Sequence, residues 1–132
     1  MEVNIGDVVR IDYYNFDGVK SKGIYLVYSK DKPPLKSIGV IKVCSKPTSF
    51  QVELPKEKFS FLDHTSYVNC ICQQKFVEDQ VIHRYGMVDT ITLGKVRKQL
   101  QNVSIKIDDE LEQTIKRYNI IARVVNDSRK DI

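Results

Sequence analysis

The feature that most narrows the fold is a change of period near residue 89. Before it, apolar residues come in short runs of β-branched and aromatic types, which favour strands. Val8, Val9, Ile11, Tyr13, Tyr14 and Phe16 crowd residues 7–16, with Val9, Ile11 and Tyr13 on one face at the two-residue period. Ile24 to Tyr28 is a second strand whose unbroken apolar run predicts burial on both faces. Ile38–Cys44 follows the Lys32-Pro33-Pro34 break, and Phe50–Leu54 alternates between Pro47 and Pro55. Tyr67–Cys72 is a fifth strand, continued by Lys75–Val77, and Tyr85–Val88 a short sixth. After residue 89, Leu93, Val96, Leu100 and Val103 recur at three- and four-residue spacing. This predicts a helix over 92–102, capped by Asp89, Thr90 or Thr92. A second helix is expected over Asp108–Val124, opening on Asp108-Asp109-Glu110 and followed by a frayed NDSRKDI end. The expected class is α+β: a strongly bent sheet or small barrel with a helical end. Residues 1–103 are expected to form the main domain, and 104–132 an added helix and tail.

Composition excludes several alternatives. At 42% hydrophobic residues the chain can build a core and is not of disordered composition. No apolar run approaches the roughly 20 residues of a membrane helix. The opening MEVNIGDVVR has no secretory pattern, so a cytoplasmic protein without a membrane partner is expected. Cys44, Cys70 and Cys72 are odd in number and lack Cys-x-x-Cys spacing, which suits reduced thiols in or near strands. The net charge of +4 lies wholly in residues 1–103, because basic and acidic residues balance from Ser104 onward. A mildly basic body is compatible with a polyanion such as RNA, and equally with ordinary solubilising charge.

Few motifs carry chemistry unaided. There is no Gly-rich phosphate loop and no metal-ligand spacing, so neither a cofactor nor a metal is expected. His64 and His83 each stand in an expected loop, where a solvated histidine is the ordinary reading. Asp63-His64-Thr65-Ser66 sets a titratable ring beside hydroxyls just before a strand, and is also a common turn composition. Ser45, Lys46, Thr48 and Ser49 in VCSKPTSF offer hydroxyls and an ammonium to a phosphate, or simply make a polar turn.

The blocks GDVVRIDY, GIYLVYS, KVCSKP, FQVELP, TSYVNCICQQKFV and YGMVDTITLGKVRKQL, in that order over about residues 5–102, resemble the PemK/MazF family of bacterial toxins. The resemblance implies a small SH3-like (CcdB/PemK-type) β-barrel with C-terminal helices. It also implies a homodimer, metal-independent cleavage of single-stranded RNA, and an antitoxin protein that blocks the site. Many members close a flexible first loop with Gly-x-Arg-Pro. Here Lys22 falls at the arginine, keeping the charge but losing the planar fork. Ser45 keeps the hydroxyl of a threonine that often follows the third strand. Gln73-Gln74-Lys75 stands where many members carry a Gln-x-Arg-Thr-like run, with Lys75 nearest the arginine. Cys72 and Cys70 fall where some members place an acidic and a basic residue as base and acid, and neither thiol is a convincing substitute.

The implied mechanism is attack of a ribose 2′-hydroxyl on the neighbouring phosphate. It needs a base, an acid and cations for the developing charge. Lys22, Ser45 and Lys75 are the expected catalytic stabilisers, held together in one concave site. Lys20, Lys46, His64, Gln73 and Gln74 are the expected substrate contacts. The base is left among His64, His83, Asp12 and Asp17. The main alternative is a non-catalytic RNA- or protein-binding barrel of the same family. Further alternatives are a gyrase-poisoning toxin of the same fold and an unrelated SH3-like interaction module.

Overall fold

In the computed structural model, residues 2–130 are described in backbone and residues 2–123 in side chain. Six strands form one antiparallel sheet: β1 (Asp7–Tyr14), β2 (Lys20–Lys30), β3 (Ser37–Cys44), β4 (Gln51–Leu54), β5 (Ser66–Val77) and β6 (Val81–Met87). A 3₁₀ turn, Glu78–Gln80, joins β5 to β6. One helix, α1 (Thr90–Lys130), completes the chain. The spatial order is β4-β5-β3-β2-β1-β6. β4 and β6 are edges and do not pair with each other, so the sheet stays open where a closed barrel was expected.

Alternation explains the core. Tyr25, Leu26 and Val27 of β2 are all buried, as the unbroken run predicts. Val8 pairs with Leu26, and Leu26 with Ile41, so these three share one face. Val9, Ile11, Tyr25, Val27, Ile38 and Val40 pack together from the other face, joined by Val3 and Val81. Tyr13 and Phe76 close that cluster, Phe76 meeting Tyr25 edge-on at 5.5 Å. Burial pushes the Tyr25 phenol far up, and the neighbouring Tyr13 hydroxyl adds to the effect.

The first connection is a tight turn rather than a flexible loop. The Gly18 N–H donates to the Asn15 carbonyl at 2.9 Å, and Asn15 N–H to the Val19 carbonyl at 2.7 Å. Gly18 sits at φ 81°, which glycine adopts without a Cβ penalty. Asp17 accepts the Val19 N–H. β2 therefore begins at Lys20, and Lys20 and Lys22 are strand residues.

The expected pair of helices is one. Between Val103 and Asp108 stand Ser-Ile-Lys-Ile, with neither Gly nor Pro, so nothing removes an amide donor or breaks the ladder. The helix also passes the expected stop at Val124. The expected frayed end falls partly outside the described residues. Asp89 precedes the helix, and its carbonyl accepts the Leu93 N–H at 3.0 Å. No helix among the described residues is long and apolar enough to cross a membrane. The chain divides into two compact units, Met1–Leu100 and Gln101–Ile132.

Candidate functional site

Within the first unit a cleft of about 280 Å³ is lined by parts of six segments. Ile24 comes from β2, Val43 and Cys44 from β3, and Ser45 from the turn that follows. Phe61, Leu62, Asp63 and His64 come from the β4–β5 connection, Ser66 from β5 and Tyr85 from β6. Ser45 and His64, expected from sequence as a catalytic hydroxyl and a substrate contact, thus line one cavity. The Ser66 hydroxyl donates to the His64 carbonyl at 3.1 Å, which ties the histidine to the strand entry. Phe61 lies against Gly86, where a Cβ would fall on its ring. A side chain at 86 would displace that ring, one wall of the cleft.

The sheet face beside the cleft is cationic. Arg10 of β1 pairs in register with Ile24 on one side and His83 on the other. Directly opposed residues of an antiparallel pair share a face. Alternation then adds Asp12, opposite Lys22. Asp12 holds the Arg10 guanidinium at 3.1 Å and the Lys20 ammonium at 3.7 Å. Lys22, exposed two residues before Ile24, makes no ion pair among the described residues. His83 stacks edge-on against Tyr85 at 4.7 Å.

Register decides which expected residues meet. Tyr25 pairs with Lys42, so carrying that antiparallel register outward sets Lys22 level with Ser45. Lys75 is elsewhere. It pairs with Gly39, near the start of β3, whereas Ser45 follows the end of that strand. Six residues at about 3.3 Å each put roughly 20 Å between those positions. Lys75 also holds Asp31 at 3.1 Å. The single concavity expected for Lys22, Ser45 and Lys75 is therefore not formed; the ladder separates the third from the first two. Gln73 and Gln74 lie with Lys75 on exposed β5, opposite Ile41 and Val40. Gln73 accepts from the Tyr28 hydroxyl at 3.5 Å and donates to the Cys70 carbonyl at 3.0 Å. Lys46 is exposed in the turn beyond Ser45. Asp17 is engaged in the first turn.

Cys70 is buried in the sheet, and burial pushes its thiol up to about 11. Such a thiol stays neutral at pH 7 and is a poor proton donor. Cys72 is half-buried, and its sulfur accepts from the Asn69 amide at 3.2 Å. Among the described residues no group of three or more His, Cys, Asp or Glu side chains is placed to hold a metal ion.

Sequence reasoning missed Arg10, Phe61 and Tyr85. Arg10 had a signal: it is the one cation inside GDVVRIDY, set between Val9 and Ile11 in sequence. Phe61 and Tyr85 had none, because their meeting depends on how a loop packs on β6.

No family model matches the sequence, and a search of curated proteins finds no relative. Solved structures do share the fold. A MazE-MazF complex from Deinococcus radiodurans matches with TM-score 0.63 at 16% identity, over 76% of this chain and 94% of that one. An endoribonuclease in complex with its cognate antitoxin from a mycobacterial species matches with TM-score 0.59 at 19% identity, over 74% and 89%. The Mycobacterium tuberculosis toxin MazF-mt6 matches with TM-score 0.57 at 13% identity, over 73% and 93%. The antiparallel six-stranded sheet with its C-terminal helix is thus a MazF-like fold.

Proposed function

We propose that this chain is a toxin-type endoribonuclease that cleaves single-stranded RNA without a metal ion and is neutralised by a cognate antitoxin protein. The observation that carries the reading is the shared cleft of Ser45 and His64, bordered by the sheet face of Lys22 and Arg10. Support comes from structural neighbours named as endoribonuclease and MazE-MazF complexes. On this reading the open sheet is the counterpart of the family's SH3-like barrel, and the protein works in the cytoplasm as a homodimer.

The chemistry assigns one role to each group. The His64 imidazole takes the proton from the ribose 2′-hydroxyl, since histidine is the side chain most often used as a general base and this one lines the cleft with Ser45. The 2′-oxygen attacks phosphorus, forming a 2′,3′-cyclic phosphate and expelling the 5′-oxygen of the next nucleotide. Lys22, Arg10 and the Ser45 hydroxyl meet the extra negative charge of the pentacoordinate phosphate. Phe61 and Tyr85 offer ring faces on which an unstacked base can lie. The leaving oxygen takes its proton from water or from His83, which shares the Arg10 face. Lys75, Gln73 and Gln74 would contact the strand away from the scissile bond, and Lys20 and Lys46 its backbone.

The test is incubation of the purified protein with mixed-sequence RNA in EDTA, beside Lys22→Ala, Ser45→Ala and His64→Ala. Losing one stabilising donor typically slows such a step about a hundred- to thousandfold. The expected result is cleavage by the parent, loss in the variants and unchanged thermal melts, with Lys22→Arg retaining activity. Intact RNA that the parent nevertheless binds would establish the second reading, a non-catalytic RNA-binding module. The neutral, buried Cys70 thiol favours that alternative, because it removes one position where the family places acid–base chemistry.

A further inference from the structure

The second unit carries an apolar face that its own residues leave uncovered. Ile107, Leu111, Ile115, Tyr118 and Ile121 are 56%, 56%, 51%, 71% and 62% exposed. At 3.6 residues per turn they fall within an arc of about 120°, with Thr114 inside it, the width of a packing stripe. Such a helix derives most of its stability from a partner surface, because propensity alone leaves it marginal in water.

Charge selects the partner. Asp108, Asp109, Glu110 and Glu112 form an acidic block, and Lys116, Arg117 and Arg123 a basic one. The segment is thus acidic over 108–112 and basic over 116–123. A parallel copy would set acid on acid. An antiparallel copy sets each acidic block on a basic one. The flanks agree: Glu110 and Arg117 lie about 20° apart on the same side of the stripe, equidistant from a midpoint between Gln113 and Thr114. In an antiparallel pair about that midpoint, Glu110 of each copy faces Arg117 of the other. In the same arrangement Leu111 falls within one residue of Ile115 along the axis, and Ile107 within two of Tyr118. Glu112 and Lys116, paired at 3.3 Å, join the two blocks along a single helix.

We propose that α1 beyond Leu100 pairs antiparallel with the same segment of a second copy of this chain. The pair is centred between Gln113 and Thr114 and sealed by Ile107, Leu111, Ile115, Tyr118 and Ile121. This surface is separate from the cleft and depends on no part of the ribonuclease reading. It adds a contact between copies that involves neither the sheet nor the cleft.

The test uses full-length protein. With Thr114→Cys, mild oxidation should link two chains rapidly into a species the parent does not form. Ile107→Cys alone should not link, because its mate would stand roughly 20 Å away along the pair at about 1.5 Å per residue. Fast linking of Ile107→Cys would mean a parallel pair, and no linking of Thr114→Cys would mean no pair; either overturns the proposal. Leu111→Asp with Ile115→Asp should halve the particle mass at micromolar concentration. Glu110→Arg should weaken association, and adding Arg117→Glu should restore it, an outcome a purely structural role for these residues would not produce. If instead the parent is unpaired and the stripe is protected only when an antitoxin protein is added, the face belongs to that partner and the proposal fails. RNA cleavage by these variants, read in parallel, reports on the cleft alone.

Discussion

The first unit has an interior that encloses isoleucine, and the described residues of the second do not. In the first, Ile11, Ile38 and Ile41 are 1% exposed or less. In the second, Ile105, Ile107, Ile115 and Ile121 are at least half exposed. The side chains are identical; the number of non-local neighbours differs. A central strand such as β2 has a hydrogen-bonded neighbour on each side and a packed layer on each face, so every residue of Tyr25-Leu26-Val27 is enclosed. A helix satisfies its backbone bonds locally, so its geometry does not itself bring side chains from distant parts of the chain against it. Its apolar face must be covered from outside. Stability should therefore concentrate in residues 1–100, and the second unit should contribute chiefly through what it binds.

That contrast can be broken. Ile41→Ala should lower the unfolding free energy by about 2–5 kcal/mol, the usual cost of emptying a packed core site. Urea unfolding followed by circular dichroism would measure it, and a loss under about 1 kcal/mol would show the sheet core to be loosely packed. Next in size is a chemical difference. With its thiol held near 11 against an ordinary 9.0, Cys70 should carry about a hundredfold less thiolate at pH 8 than an unperturbed cysteine. Ellman titration of a protein retaining only Cys70 should be slower by at least that factor than one retaining only Cys72; equal rates would mean the strand opens readily.

Gly86→Ala should cost about 1–3 kcal/mol, because the new methyl meets the Phe61 ring and that ring must move. If the parent cleaves RNA, this substitution should also depress cleavage while every polar residue of the cleft remains. A variant with parental stability would show Phe61 free to swing aside. A smaller effect is expected at the start of α1. The Thr92 hydroxyl, then the Lys58 ammonium, hold the Asp89 carboxyl below its usual value of 3.8. A carboxylate whose folded pKa is depressed stabilises the fold above its unfolded value, and the contribution vanishes as pH falls through the folded one. The stability gap between parent and Asp89→Ala should thus be constant above about pH 5 and close in more acid solution. A gap independent of pH would assign the effect to hydrogen-bonded shape rather than charge. Smallest of all, Ile105→Ala, a deletion identical to that at Ile41 but on an exposed position off the apolar stripe, should change stability by less than about 0.5 kcal/mol.

The strands were legible because alternation and β-branching report local preference. Val8 to Tyr13, Ile38 to Cys44 and Gln51 to Leu54 match strands of the structure closely. β2 was read too short, since Lys20, Ser21, Lys22 and Gly23 have poor strand propensity and are held by pairing with Ile11–Tyr14. β6 was also read short: Val81–Arg84 extends along β1 through irregular register. The split of α1 into helices over 92–102 and 108–124 left residues 103–107 between them, where neither Gly nor Pro interrupts the ladder. Of the site, the sequence pointed to Ser45, Lys22 and His64 one at a time, but had no means of separating Lys75 from them.

By itself, then, the sequence determined what depends on neighbours a few residues away: where the chain extends, where it turns at Asp17-Gly18, and where it becomes helical. Tertiary structure alone decided what depends on register. The β2–β3 ladder ends at Tyr25 and Lys42, the end toward which Lys22 and Ser45 stand, and the pairing of Gly39 with Lys75 carries that lysine toward the other end. Packing of the β4–β5 connection brings His64 and Phe61 to a cleft with Ile24 and Tyr85. A slip of one residue would turn each of these side chains to the other face, because the strand period is two. No local preference encodes that choice; it is made by burying Leu26, Ile41 and Val8 together on one face while Val9, Ile11 and Val27 close the other.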